Sequence, residues 1–135
     1  TRAILLDTCA VLFLEKGGLR EEADQALRAA HEGGIPVYLS PITAWEVGLL
    51  VSRGRLALVR SPADWFEGML KIGLQLAPMP PAVLAASSFL PDSDLRDPAD
   101  RIMAATARTY GYRLMTRDRT LLAFAEAGHM QAIPC

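Results

Sequence analysis

Ala3-Ile4-Leu5-Leu6-Asp7 opens the chain's first structured segment with four apolar side chains followed by a carboxylate. A continuous apolar run of this kind is typical of a strand buried on both faces of a parallel sheet. Open parallel sheets bind their ligands beyond the carboxyl ends of their strands. The stretch therefore predicts a central strand that ends at the ligand-binding edge of a sheet, with Asp7 at that edge.

The rest of the chain alternates short apolar runs with longer amphipathic segments. Further strands are predicted at 37–39, 74–77, 112–115 and 130–133. Helices are predicted at 9–15, 19–30, 41–53, from 62 to about 70, and at 81–90, 98–110 and 120–127. This alternation predicts right-handed crossovers and an α/β fold in three layers, with a mainly parallel central sheet of four to five strands flanked by helices.

Composition limits the possible functions. The 135 residues suit a single domain spanning 1–135. Fourteen Lys and Arg nearly balance fifteen Asp and Glu, for a net charge of −1, so any nucleic-acid role must rest on a local site rather than on bulk charge. No apolar run reaches the roughly 18 residues of a membrane span, and the first residues lack a signal-peptide core. We therefore expect a cytoplasmic protein that does not enter a membrane.

The two cysteines, Cys9 and Cys135, are too few for a disulfide framework or a zinc site. One bridge between them is possible. A reduced chain in the cytosol is the simpler interpretation, because disulfides are rare in that compartment.

Glu46 lies on a face where a carboxylate is unexpected. The predicted buried face of the helix over 41–53 consists of Ile42, Trp45, Leu49 and Leu50. Glu46 falls on the same stripe, and a buried carboxylate is costly unless it is paired, hydrogen-bonded or bound to a metal. An ion pair with Arg53 or Arg55 is the structural alternative.

Four further acids occur where helices begin or strands end. Asp7 either belongs to a site or caps the next helix with the help of Thr8. Asp97 precedes a proline, which is typical of an N-cap residue. Asp100 is expected to project from the first turn of the following helix toward the strand ends. A purely structural role for Asp100 in a capping box is the alternative. Asp118 follows the fourth strand in a turn that we expect to be exposed.

The combination of these acids carries more weight than any single one. Asp7, Glu46, Asp100 and Asp118 come from four elements that the predicted fold brings mostly to one edge of one sheet. Carboxylates held together must be neutralised by protons or by a cation, and oxygen-only ligands select hard ions such as Mg²⁺ or Mn²⁺. Such sites generate a nucleophilic hydroxide and stabilise charge on a phosphoryl group.

Four segments in order make the chain resemble a known family. They are Leu5-Leu6-Asp7-Thr8, residues 40–46 (Ser-Pro-Ile-Thr-Ala-Trp-Glu), residues 96–105 (Arg-Asp-Pro-Ala-Asp-Arg-Ile-Met-Ala-Ala) and residues 114–118 (Leu-Met-Thr-Arg-Asp). With this order, spacing and length, the chain resembles PIN-domain ribonucleases, and within them the VapC-type toxins of toxin–antitoxin pairs. The likeness covers nearly the whole chain and implies the PIN-like three-layer sandwich.

The resemblance also implies an activity and its residues. The family's four acids fall on Asp7, Glu46, Asp100 and Asp118, and Thr116 matches a supporting hydroxyl position. The implied activity is Mg²⁺- or Mn²⁺-dependent endonucleolytic hydrolysis of RNA phosphodiester bonds. The arginines near these acids that are candidates for contacts with flanking phosphates are Arg101, Arg117 and Arg119.

The resemblance further implies two protein partners, a second copy of the chain and a VapB-like antitoxin that neutralises it. The helices over 41–53 and from 62 carry more large apolar surface than one side of a small sheet should need. The residues concerned are Ile42, Trp45, Leu49, Leu50, Trp65, Phe66, Met69 and Leu70. We expect some of this surface to be exposed for a partner.

Two rival functions remain at this point. The first is a Mg²⁺-dependent phosphatase or phosphotransferase with Asp7 as nucleophile. Such enzymes require a second Asp two residues after the first, where this chain has Cys9. They also usually carry a catalytic lysine near the third strand, for which Lys71 is poorly placed. The second is a catalytically inactive PIN-like interaction module, against which the retention of all four acids argues.

Overall fold

The computed structural model describes residues 2–91 and 94–135. Within these ranges the strands are β1 (Ile4–Leu6), β2 (Val37–Leu39), β3 (Gln75–Leu76), β4 (Arg113–Thr116) and β5 (Gln131–Pro134). The helices are α1 (Thr8–Lys16), α2 (Glu21–Glu32), α3 (Pro41–Ser52), α4 (Pro62–Lys71), α5 (Pro81–Ala86), α6 (Pro98–Tyr110) and α7 (Arg119–Glu126). The predicted number and order of elements are confirmed.

All five strands are parallel and form one sheet in the order β3-β2-β1-β4-β5. β1 lies in the centre, where Leu6 is paired with Leu39 of β2 and with Met115 of β4. The residues that follow β1, β2 and β4 therefore meet at the same edge of the sheet. The prediction of a central first strand in a parallel α/β sandwich is confirmed.

The pleat of β1 sends alternate side chains into two separate cores. Ile4 and Leu6 belong to the core that α1 to α4 cover, whereas Leu5 and Leu114 belong to the core beneath α6 and α7. None of the three β1 residues exposes any surface. Burial on both faces explains why β1 reads as an unbroken apolar run rather than as an alternating pattern.

Helix starts follow the predicted capping chemistry. The Ser40 hydroxyl accepts from the Ile42 amide at 3.1 Å, and the Ser61 hydroxyl accepts from the Asp64 amide at 3.1 Å. In both cases a proline occupies the first helical turn. These caps satisfy amides that have no partner inside the helix, so they fix where α3 and α4 begin.

The predicted buried face of α3 is wrong. The buried residues of this helix are Thr43 and Val47, and Trp45 is 54% exposed. α3 is apolar on nearly all sides, so the 3.6-residue period does not distinguish one stripe from the next. Ala44 and Val51 are small enough to pack against the core beside Val47, and this turns the bulky Trp45 toward solvent.

The apolar face of α4 is buried, whereas Trp45 of α3 is exposed. Trp65, Phe66 and Met69 all belong to the core, and the Trp65 indole N–H donates to the Glu15 carboxylate at 3.1 Å. The expectation of exposed apolar surface therefore fails for these three residues. It holds for Trp45, which is more than half exposed.

The helix predicted over 81–90 ends earlier, at Ala86. The Ser87 hydroxyl donates to the Leu84 carbonyl at 2.6 Å, and the amides of Ser88 and Phe89 bond to carbonyls only three residues back. Serine side chains compete with the helical backbone in this way. The remaining helix and strand bounds agree with those predicted to within two residues, and those of β2 and α6 agree at both ends.

No helix within residues 2–91 and 94–135 combines the length and the apolar character needed to cross a bilayer.

The central strand provides a stability test. Leu5→Ala removes a fully buried side chain from β1, and such changes cost about 2–5 kcal/mol of unfolding free energy. Leu76→Ala on the edge strand β3 is the matched control, because Leu76 is 54% exposed and its truncation should cost less than about 1 kcal/mol. Urea denaturation measures both. Similar losses for the two variants would contradict the central position of β1.

Candidate functional site

Asp7 follows β1 directly and is almost completely buried, with 5% of its surface exposed. One carboxylate oxygen, Oδ1, accepts from the Thr8 amide at 2.9 Å, and Oδ2 accepts from the Thr116 hydroxyl at 2.7 Å. Asp7 is thus the N-cap of α1, which is one of the two roles that the sequence predicted for it. Burial raises the pKa of Asp7, against the lowering effect of these hydrogen bonds.

Thr116 connects two of the candidate acids. It ends β4, is fully buried, and donates its hydroxyl hydrogen to Asp7. The same hydroxyl oxygen accepts from the Asp118 amide at 3.0 Å. Thr116 therefore fixes the orientation of Asp7 and the backbone direction at Asp118 together, which suits the supporting position expected for it.

Glu46 reaches the same region from the second turn of α3. Its Oε1 accepts from the Thr8 hydroxyl at 2.6 Å, and that hydroxyl also lies 3.0 Å from the Thr43 hydroxyl. Its hydrogen-bond partner is thus Thr8 rather than Arg53 or Arg55. Burial raises the pKa of Glu46, and the negative charges of Asp7 and Asp97 raise it further.

The role of Thr8 at this edge was only partly predicted. The sequence suggested it as a helper in capping, whereas its backbone amide holds Asp7 and its hydroxyl holds Glu46. The available signal was its place next to Asp7 in the first turn of a helix. Its partner lies 38 positions away, and only the packing of α1 against α3 brings the two together.

The cap predicted at Asp97 is confirmed, and Asp100 lies three residues further on in the first turn of α6. The Asp97 carboxylate accepts from the amides of Ala99 and Asp100 at 2.8 and 3.3 Å, which makes it the N-cap of α6. Asp100 lies half-buried in the first turn. Burial is the largest cause of its pKa rising to about 7, and the charges of Asp7, Asp97, Asp118 and Glu46 contribute in turn.

Asp118 lies beside these acids as the N-cap of α7. Its Oδ1 accepts from the Leu121 amide at 2.9 Å, and its charge contributes to the raised pKa values of both Asp7 and Asp100. The turn was expected to be exposed, but Asp118 is half-buried because the Thr116 hydroxyl draws its backbone toward the sheet edge.

The four acids are near one another without converging on one point. Within residues 2–91 and 94–135, no three acidic, histidine or cysteine side chains form a ready metal-binding group. Asp7, Glu46 and Asp118 each accept from a nearby hydroxyl or amide instead. The set nevertheless offers only oxygen donors, which is the chemistry that hard divalent cations require.

The three arginines near the site have different surroundings. Arg101 donates to the carbonyls of Ser87 and Leu95 at 2.8 and 2.6 Å, and so ties the segment before α6 to that helix. The central carbon of the Arg117 guanidinium lies 3.5 Å from the centre of the Phe13 ring, and the guanidinium donates to the Cys135 carbonyl at 2.6 Å. Arg119 is exposed at the start of α7, where it lines a cleft of about 360 Å³.

Residues 4–127 match the model of a family described as the PIN domain. The chain belongs to the PIN-domain family. It is 31% identical over 120 residues to ribonuclease VapC22 of Mycobacterium tuberculosis, a match that covers 87% of this chain and 88% of that protein. The expected membership of this family, with a VapC-type relative, is confirmed, and the match supports neither a phosphatase nor a phosphotransferase.

Solved structures with the same fold come from toxin–antitoxin systems. A VapBC2 complex of Rickettsia felis with a promoter DNA fragment matches with a TM-score of 0.70 at 12% identity over 98% of each chain. A toxin–antitoxin complex from Klebsiella pneumoniae matches with a TM-score of 0.62 at 23% identity, over 97% of this chain and 96% of that one. These likenesses confirm the PIN-like fold.

The raised pKa of Asp100 predicts that its ionised side chain lowers the unfolding free energy, and that Asp100→Asn removes this loss. A carboxyl group whose folded pKa exceeds its unfolded value destabilises the fold as pH rises from about 4 through about 7. Since one pKa unit corresponds to about 1.4 kcal/mol and solvent screens a half-buried charge, Asp100→Asn should add about 1–2 kcal/mol of unfolding free energy at about pH 8. At about pH 4 the gain should nearly vanish.

The matched control in the same helical turn is Asp97→Ala. Loss of its capping bonds should lower the unfolding free energy by about 1 kcal/mol. Urea denaturation in chelator-containing buffer at both pH values measures the two variants. A loss of stability in Asp100→Asn at high pH would show that Asp100 is a structural residue and not part of a strained acidic set.

Proposed function

We propose that this PIN-domain protein is an endoribonuclease that depends on Mg²⁺ or Mn²⁺. The observation that carries the proposal is the electrostatic coupling of the acids: the pKa of Asp100 is raised to about 7 by burial and by four other carboxylates, among them Asp7, Glu46 and Asp118. Acids this close to one another require a neutralising partner. Homology to ribonuclease VapC22 supports RNA as the substrate.

Asp7, Glu46 and Asp100 would hold the ion, and Asp118 would help to hold it or would orient the attacking water. A bound Mg²⁺ or Mn²⁺ supplies an activated water and stabilises charge on the phosphoryl group. Thr116 and Thr8 keep the Asp7 carboxylate in one orientation through hydrogen bonds to its two oxygens. Thr8 does the same for Glu46, so both side chains are positioned before substrate arrives.

Of the three arginines, Arg119 is the best placed to contact RNA. It is exposed and follows Asp118 directly, so a phosphate beside the acids would lie within its reach. Arg101 and Arg117 donate to carbonyls of the chain itself. We assign Arg101 to the support of the segment before α6 and Arg117 to the support of the C-terminal segment. Their positive charge would then act on a bound phosphate only through long-range electrostatic attraction.

Metal dependence gives a direct prediction of activity. Cleavage of RNA should require Mg²⁺ or Mn²⁺ and stop in EDTA. Asp100→Asn should abolish cleavage because it removes a ligand, whereas Asp97→Ala should retain it apart from the effect of lower stability. Gel analysis of a labelled RNA pool checks both variants. Cleavage that survives complete chelation would refute the mechanism.

A second part of the proposal concerns partners. We infer that the chain forms a homodimer and is neutralised by a small VapB-like antitoxin. The exposed Trp45 supports an apolar interface. It lines a cleft of about 380 Å³ with Leu49, Leu50, Arg53 and Arg55, beside Glu46 and Asp97. The solved complexes of similar fold support an antitoxin.

Trp45→Glu should weaken self-association, because a charge would have to be buried in the interface. Light scattering at micromolar concentration should give a dimer for the parent chain and a smaller average mass for the variant. Leu76→Glu is the control, because Leu76 is equally exposed and lies on the edge strand β3. A strictly monomeric parent chain would contradict the dimer.

A further inference from the structure

Two clefts on the surface of the protein meet at one histidine. The first, of about 360 Å³, is the cleft that Arg119 lines, and the second, of about 490 Å³, is lined by Arg2 and Arg108. His129 lines both of them. We call the two clefts together the α7 track, because α7 forms a wall of the first cleft and the residues that follow α7 line the second.

The α7 track leads away from the candidate acids. α7 begins at Arg119, directly after Asp118, and it must run back along the sheet because the next strand, β5, is parallel to β4. Its eight residues span about 12 Å. Arg119 at its start and Ala127 just after its end both line the first cleft. This cleft therefore extends along the whole helix, and the second cleft continues it to the opposite edge of the sheet.

The track carries positive charge, although the chain as a whole does not. Arg119, Arg108 and Arg2 are all exposed, and none of them forms an ion pair within residues 2–91 and 94–135. Among the lining residues that the structure describes, Asp94 is the one acid of the first cleft, and the second cleft has none. The excess positive charge therefore lies at the two ends of the track, where it is available to phosphate groups.

The second cleft holds its arginines in place through the backbone. Arg108 donates to the His129 carbonyl at 2.6 Å, and Arg2 donates to the Gly111 carbonyl at 3.2 Å. Each of these bonds uses one of the five N–H groups of a guanidinium. The other N–H groups suit the oxygens of a phosphodiester, which arginine binds through charge-assisted hydrogen bonds.

His129 offers an aromatic surface where the two clefts meet. Its ring is half-exposed and contacts the buried Phe124 ring, with the two ring centres 4.9 Å apart. Tyr112 also lines the second cleft, but it is stacked between Tyr38 and Tyr110. Of the rings described along the track, His129 is therefore the one that a base can reach. Unpaired RNA bases stack on such side chains.

We propose that the α7 track binds single-stranded RNA on one side of the cleaved bond. Phosphates contact the three arginines of the track, and one base stacks on His129. The inference rests on the proposed endoribonuclease function and adds to it the path of the substrate and its single-stranded form. An RNA duplex does not fit this site, because its bases are stacked on one another and cannot reach His129.

The test for the arginines measures the binding of a labelled RNA octanucleotide to the full chain by fluorescence anisotropy, in EDTA and over a range of salt concentrations. Arg108→Gln should weaken binding several-fold and reduce the slope of log K against log salt by about 0.7, the value for one phosphate contact with a single strand. Arg2→Gln should do the same, and Arg108→Lys should keep the parent slope. The matched control is Arg28→Gln on α2, which is exposed on the other side of the sheet and should bind like the parent chain.

The base-stacking site has its own test in the same assay. His129→Ala should weaken binding several-fold, whereas His129→Phe should keep the parent affinity, because it retains an aromatic ring. A duplex of the same length should bind several-fold more weakly than the single strand. Parent affinity and parent slope in both Arg108→Gln and Arg2→Gln, with the fold intact by circular dichroism, would overturn the proposal. Equal affinity for the duplex and the single strand would overturn it too, as would a parent chain that does not bind the octanucleotide at low salt.

Failure of this inference and failure of the proposed function give different results. Binding is measured in EDTA without any cleavage, so the predicted losses would still be found in a protein that cleaves nothing. A protein that cleaves RNA with Mn²⁺, but binds the octanucleotide equally well with and without the arginines of the second cleft, would overturn the α7 track alone.

Discussion

The burial of one carboxylate at the end of the central strand is the constraint on which the rest of the structure depends. Asp7 exposes only 5% of its surface, and a buried carboxylate is tolerated only when its oxygens have partners. The Thr8 amide and the Thr116 hydroxyl supply them. To do so, α1 must begin at Thr8 and β4 must lie beside β1, so the carboxylate fixes the junction of three elements.

The remaining acids arrive at this junction for local reasons of their own. Asp118 caps α7, and Asp100 lies in the first turn of α6 behind the Asp97 cap. Helix N-termini favour negative charge, so parallel strands followed by helices gather acids at one edge. The cost of gathering them appears as raised pKa values at Asp7, Glu46 and Asp100, and it is this cost that a divalent cation would offset.

Much of this arrangement could be predicted from the sequence, because short-range chemistry determined it. The unbroken apolar run of β1, the caps at Ser40 and Asp97 and the acid after β1 each carry their signal within a few residues. The orientation of α3 could not be predicted, because a helix that is apolar on nearly all sides leaves the choice of face to tertiary packing, which buried Val47 and exposed Trp45. The hydrogen bond between Thr8 and Glu46 depends on how two distant helices meet, and no local pattern encodes it.

The central claim is that the four acids form one cation site of this PIN domain, and direct binding of Mn²⁺ tests it without RNA. Electron paramagnetic resonance of free Mn²⁺ measures the bound fraction during a titration with protein. The account predicts saturable binding by the parent chain and by Asp97→Ala, and binding weaker by about tenfold or more in Asp7→Asn and Asp100→Asn. Equal Mn²⁺ affinity in the parent chain and in these two variants, with the fold intact by circular dichroism, would contradict it.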